Sequence, residues 1–96
     1  MLTLDRVRSL LVGLVADPVL RPDEVGEFQQ LVWNESEPIS GASEEQDEIL
    51  RSLAYDLDFF EPDDRARAED PSFFGEERAR SEIVEALRAI EPAREA

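Results

Sequence analysis

Six prolines, at positions 18, 22, 38, 62, 71 and 92, divide this chain. Each falls between stretches of helical periodicity, where a missing N–H and a fixed φ do no harm. Four helical segments remain. In Thr3–Asp17, the residues Leu4, Val7, Leu11, Leu14 and Val15 share one stripe, with Leu10 at its edge. Pro22–Asn34 opens on proline, carries Asp23 and Glu24 in its first turn, and turns Val25, Phe28, Leu31 and Val32 inward. Ser43 and Gln46 form a capping box, after which Ile49, Leu50, Leu53, Leu57 and Phe60 hold the 3.6 period to residue 60. The last segment opens at Asp70 and Pro71, with Gly75 able to divide a short turn from the main helix, and its core face is Ala79, Ile83, Ala86, Leu87 and Ile90. No strand-like alternation and no internal repeat occurs. The expected fold is all-α: a compact four-helix bundle with an irregular stretch, residues 61–72, before the last helix.

At 96 residues with 42% hydrophobic content, residues 1–96 make one domain with a single modest core. No run reaches the roughly 18 to 20 apolar residues of a membrane span, and Asp5, Arg6, Arg8 and Ser9 interrupt the apolar start as no secretion signal does. A soluble, cytoplasmic protein is expected. The absence of Cys and His excludes disulfides, thiolate or imidazole metal sites, and most nucleophile and general-base schemes. "DLDFFE" fails as a Ca²⁺ loop, having Phe60 where a ligand is needed and Glu61 where glycine is needed. Carboxylate pairs for glycoside chemistry could be chosen anywhere among 24 acids, so they carry no specificity. No enzyme, cofactor or metal is expected. The 24 acids face ten bases, all Arg, for a net charge of −14. Such a field repels phosphate and anionic lipid, which argues against nucleic acid and membrane, and draws in a basic protein. Its bland alternative is that acidity serves solubility alone.

"YDLDFFEPDD", residues 55–64, packs three aromatics and five carboxylates into ten positions. Helix N-termini favour acids, which accounts for Glu44, Glu45 and Asp47, and for Asp63 and Asp64 if Pro62 opens a helical turn. The same dipole disfavours Asp56, Asp58 and Glu61 in the last turns of the third helix. On a helical wheel Leu53, Leu57 and Phe60 point inward, Tyr55 and Phe59 share the opposite face, and Asp56 and Asp58 flank both stripes. Two readings stand. Residues 61–74 fold back so that Phe73 or Phe74 covers Tyr55 and Phe59, or the aromatics stay exposed as an anchor ringed by acids. The candidate partner-binding residues are therefore Tyr55, Asp56, Asp58, Phe59, Glu61, Asp63 and Asp64. Trp33 reads as a lid at the core's edge or as a ligand platform. Residues 34–50, with six acids and no base, read as a solvated loop plus a capped helix start or as a second contact surface.

The stretch "YDLDFFEPDDRARAEDPSFFGEER" and the amphipathic helix after it resemble the immunity proteins of bacterial contact-dependent growth inhibition systems over residues 50–90. More loosely, the chain is similar to nuclease-colicin immunity proteins, which are small, acidic and four-helical, with tandem aromatics before a proline. Phe59 and Phe60 match those aromatics and Pro62 the proline, with Glu61 intervening. The resemblance implies an antitoxin, monomeric when unbound, that neutralises the catalytic domain of a cognate toxin, a basic protein and often a nuclease. The competing class is an acidic helical adaptor within a larger bacterial assembly.

Overall fold

The computed structural model describes residues 1–90; Pro92 and the rest of 91–96 lie outside the described residues. Helix α1 (Leu4–Ala16) starts where the Thr3 hydroxyl accepts from the Arg6 N–H, and stops just before Pro18. Helix α2 (Pro22–Trp33) has its proline at the first turn. Helix α3 (Glu44–Asp56) carries both halves of the capping box between Ser43 and Gln46. A six-residue helix α4 (Asp64–Glu69) and the long α5 (Glu76–Ile90) complete the chain. The fold is all-α.

Sequence periodicity misplaces three boundaries. The third helix ends at Asp56 and tightens into a 3₁₀ turn, Leu57–Phe59, because Phe60 is extended and pairs with Phe74 instead of continuing the helix. The expected irregular stretch contains α4, so the described residues hold five α-helices, not four. The last helix begins at Glu76. Asp70 and Pro71 do not start it: Asp70 ends α4, and its carboxylate accepts from the Ser72 N–H at 2.8 Å in a turn.

The four longer helices close a ring in which α1 touches α2, α2 touches α3, α3 touches α5 and α5 returns to α1. The buried set from each helix meets in one cluster, with Val7, Leu11, Leu14, Phe28, Val32, Leu50, Leu53, Ile83 and Ile90 at its centre. Burying each such side chain contributes about 1.5–3 kcal/mol. Residues outside the helices also contribute to the core: Leu2, Leu20, Ile39 and Phe74. Gln29, the single buried polar side chain among the described residues, donates to the Ala54 carbonyl at 3.1 Å, in the last turn of α3 where carbonyls outnumber intrahelical donors. Trp33 is half exposed at the end of α2. Among the described residues no helix is long and apolar enough to cross a membrane.

Two arginines tie loops to helices. Arg51 on α3 pairs with Asp47 at 2.8 Å and donates to the carbonyls of Val32, Glu35 and Glu37. Asp47 also accepts from the Ile39 N–H, and Glu35 from the Leu2 N–H. Residues 34–43 are thus a latch, with Ser40 bridged to Thr3 through bonds to Leu2 and Leu4, and only Gly41, at φ 84°, needs the left-handed region. The Arg51 guanidinium, with help from the Ile39 N–H and against burial, holds the Asp47 carboxyl below its ordinary range. Bonds from the Leu2 and Glu37 N–H groups lower that of Glu35. Arg80 on α5 works similarly, donating to the carbonyls of Val15 and Pro18 and pairing with Glu76, which accepts from the Leu20 N–H.

Candidate acidic and aromatic interface

The candidate site is assembled where α3 runs out. A 3₁₀ turn advances each residue by about 120° where an α-helix advances it by about 100°. Over three residues that difference swings Phe59 by about 60° toward the core side. Phe59 is accordingly half-buried and packs against the core cluster, where the uninterrupted wheel puts it fully outward. Its outer edge still meets Tyr55: the rings lie edge to face, with centroids 5.8 Å apart. Tyr55 itself is 64% exposed.

Residues 61–74 do fold back, as the first of the two sequence readings has it. The Phe74 N–H donates to the Phe59 carbonyl and the Glu61 N–H to the Phe74 carbonyl, both at 2.9 Å. This seats the Phe74 ring, 9% exposed, beside Phe59. It leaves Tyr55 uncovered. Between the returning segment and α3 lies a depression of about 260 Å³ lined by Asp56, Phe59, Ser72, Phe74 and Arg78. The Arg78 guanidinium stands 4.9 Å from the Phe74 ring centre, closing one side with a cation–π contact.

The seven sequence-selected residues divide into two groups. Tyr55, Asp56, Asp58 and Phe59 fall within one turn of chain, and neither aspartate forms an ion pair among the described residues. Glu61, Asp63 and Asp64 have local work. The Glu61 side chain accepts from the Asp63 N–H, Asp63 caps α4 by accepting from the Arg65 N–H, and Asp64 pairs with Arg67 in the first turn of α4. Arg67 also donates to the Glu61 carbonyl at 2.7 Å. It lies so close to Gly75 that a Cβ there would come within 3.1 Å of Nη1. Pro62 thus precedes a helical turn, so the dipole accounts for Asp63 and Asp64 but not for Asp56 and Asp58.

Of the other participants, Phe74 is one of the two rings the sequence offers as a cover, whereas Arg78 and Arg67 carry no periodic signal, since the pairing that brings Phe74 to Phe60 joins residues fourteen apart across a helix. Chemically the arrangement offers an exposed aromatic edge, two carboxylates without an ion-pair partner among the described residues, and a shallow cleft. That suits recognition of a cationic side chain. Among the described residues no three His, Cys, Asp or Glu side chains gather as a metal site. Comparison of the chain with protein-family models, curated proteins and solved structures gives no match in any of the three.

Proposed function

We propose that the protein is a non-enzymatic immunity protein that binds and neutralises the catalytic domain of a cognate bacterial toxin in the cytoplasm. The observation that carries the reading is the uncovered Tyr55, braced by Phe59 and flanked by Asp56 and Asp58, which have no ion-pair partner among the described residues, on a chain of net charge −14. A solvent-exposed tyrosine backed by a packed ring has the form of an interface anchor, and free carboxylates around it give a basic partner its orientation and its approach rate. In this reading Tyr55, Asp56, Asp58 and Phe59 form the contact centre, with Glu61, Asp63 and Asp64 at its rim. The four longer helices serve as the bundle that holds it, and the free protein is a monomer. A nuclease domain, built to receive phosphate, has the matching surface charge. The resemblance of residues 50–90 to growth-inhibition immunity proteins narrows the partner from any basic protein to a toxin.

An immunity gene is expected beside its toxin gene, so co-expression with the catalytic domain of a toxin encoded there tests the proposal. Growth should be restored by the wild-type chain and lost with Tyr55→Ala combined with Asp58→Arg. A chain that gives no protection, yet is recovered within a larger assembly independently of Tyr55, is the adaptor instead.

A further inference from the structure

A second surface lies beside the aromatic site and shares one residue with it. Helices α3 and α5 run antiparallel, since Gln46 near the start of α3 donates to the carbonyl of Ile90 at the end of α5 at 2.8 Å. Between them is an open groove of about 600 Å³. Its floor is apolar, made by Ile49, Leu53 and Ala86. One rim carries Glu45, Glu48 and Asp56 from α3, and the other Glu82 and Glu85 from α5. Of these five carboxylates only Glu82 has an ion-pair partner among the described residues, Arg78 at 3.6 Å. Asp47 and Glu35, by contrast, are bonded to Arg51 or to backbone N–H groups. Carboxylates facing each other across a groove repel, and among the described residues only the Arg78–Glu82 pair offsets that repulsion.

We propose that this groove docks a cationic amphipathic helix of the partner protein. The pattern of the rims sets the occupant's chemistry. From Glu45 to Asp56 the α3 rim rises about 16 Å, or about three turns, the length of helix that can lie along it. A narrow apolar floor between two acidic rims fits a helix with one ridge of small or aliphatic side chains flanked on both sides by Arg or Lys. Arg and Lys also carry apolar stems that can cover the rims while their charges reach the carboxylates. Asp56 lines both the groove and the cleft beside Phe59 and Phe74, so the bound helix ends next to the aromatic anchor and the two form one continuous surface. The inference deepens the proposed function by naming the element of the partner that is bound. It rests on that reading only for the partner being a basic protein.

The test uses a fluorescent 14-residue peptide with Leu at helical spacing and Arg on both flanks, and a scrambled peptide of the same composition, titrated with the whole protein at 150 mM salt. The amphipathic peptide should bind at least tenfold more tightly than the scramble. Glu48→Arg with Glu85→Arg should weaken it at least tenfold, and Glu48→Gln with Glu85→Gln should weaken it less. Asp23→Arg with Glu27→Arg, an equal charge change at exposed positions on α2, should alter it less than threefold. Equal affinity for the scramble, equal effects of the two Arg pairs, full displacement by millimolar spermine, or no binding would each overturn the proposal. So would a concentration-dependent dimer abolished by the groove reversal, which would make a second copy the occupant. Peptide affinity reads the groove variants, and toxin neutralisation reads Tyr55→Ala. The groove can therefore fail while Tyr55 still governs toxin neutralisation, and the reverse outcome is equally separable.

Discussion

The chain contains two long acidic connections, residues 34–43 and 60–75, and the same two devices hold both. Each is stitched by one isolated parallel bridge, Thr3 to Ser40 in the first and Phe60 to Phe74 in the second. Each also receives an arginine. In the first, Arg51 reaches Asp47 and three backbone carbonyls, and the acids Glu35 and Asp47 are consumed in holding N–H groups. In the second, Arg67 reaches one carbonyl and Asp64, while the neighbouring Asp56 and Asp58 form no ion pair among the described residues. Carboxylates thus serve closure in one place and stand without an ion-pair partner among the described residues in the other. What separates them is not how many acids are present but whether an arginine on the adjacent helix reaches them.

The largest expected effect tests whether the second connection depends on its ring more than on its arginine. Phe74→Ala removes the buried side chain that seats residues 61–74, and should cost about 3 kcal/mol in denaturant unfolding. If the loss is below about 1 kcal/mol, the segment is held by its bridge alone. Next, Arg51→Ala should cost about 2 kcal/mol, below the value for a fully buried pair because a third of the side chain still meets water. Arg67→Ala, whose ion-pair partner is mostly exposed, should cost less than about 1 kcal/mol. Equal losses for the two arginines would erase the contrast between the connections.

Acid sharpens the same contrast. The carboxyls of Asp47 and Glu35 are held below their ordinary values by Arg51 and by backbone N–H groups respectively. Depressed groups of this kind contribute stability that is fully present above their unfolded pKa and is lost as pH falls through the folded one. The latch should therefore be intact at neutral pH and loosen below the ordinary carboxylate range of about 4. Amide exchange at Leu2 and Ile39, which bond to these carboxylates, should accelerate in acid relative to Phe74, which bonds to a carbonyl. Asp47→Asn should reduce the acid sensitivity at Ile39. Exchange that rises equally at all three amides would mean that global unfolding, not the latch, is being observed.

What the sequence made legible follows the range of the interactions. Helices α1 and α2, the capping box of α3 and the inward faces of all four longer helices are local patterns, and each appears within a residue or two of its place. The end of α3 was not legible, because the extended Phe60 is imposed by a partner fourteen residues away in sequence. That long-range pairing changed the angular step, and so decided how far Phe59 turns inward. Leu2, Leu20 and Ile39 are single apolar residues outside any period, and only tertiary packing identifies them as core. Of the site, the outward face of Tyr55 follows from the wheel, whereas its being left uncovered by residues 61–74 and the local bonds of Glu61, Asp63 and Asp64 around α4 depend on the folded segment.

The smallest expected change in stability discriminates most sharply between the two uses of acid. Asp56 ends α3 and Asp58 sits in the 3₁₀ turn beyond it, where carbonyl ends disfavour negative charge by about 0.3–1 kcal/mol each. Asp56→Asn with Asp58→Asn keeps side-chain shape and removes that repulsion, so the melting temperature should be unchanged or slightly higher. The same change should slow association with the co-expressed catalytic domain and flatten the dependence of affinity on salt, since steering scales with the charge presented. Phe59→Ala should act on dissociation instead, and because the ring is half-buried against the core it should also lower stability. Opposite movement of stability and association on removing two charges is what a surface kept for a partner requires. If the doubly neutral variant melts well below wild type while the catalytic domain still associates at the original rate, Asp56 and Asp58 belong with Glu35 and Asp47 as structural acids, and the distinction between the two connections collapses.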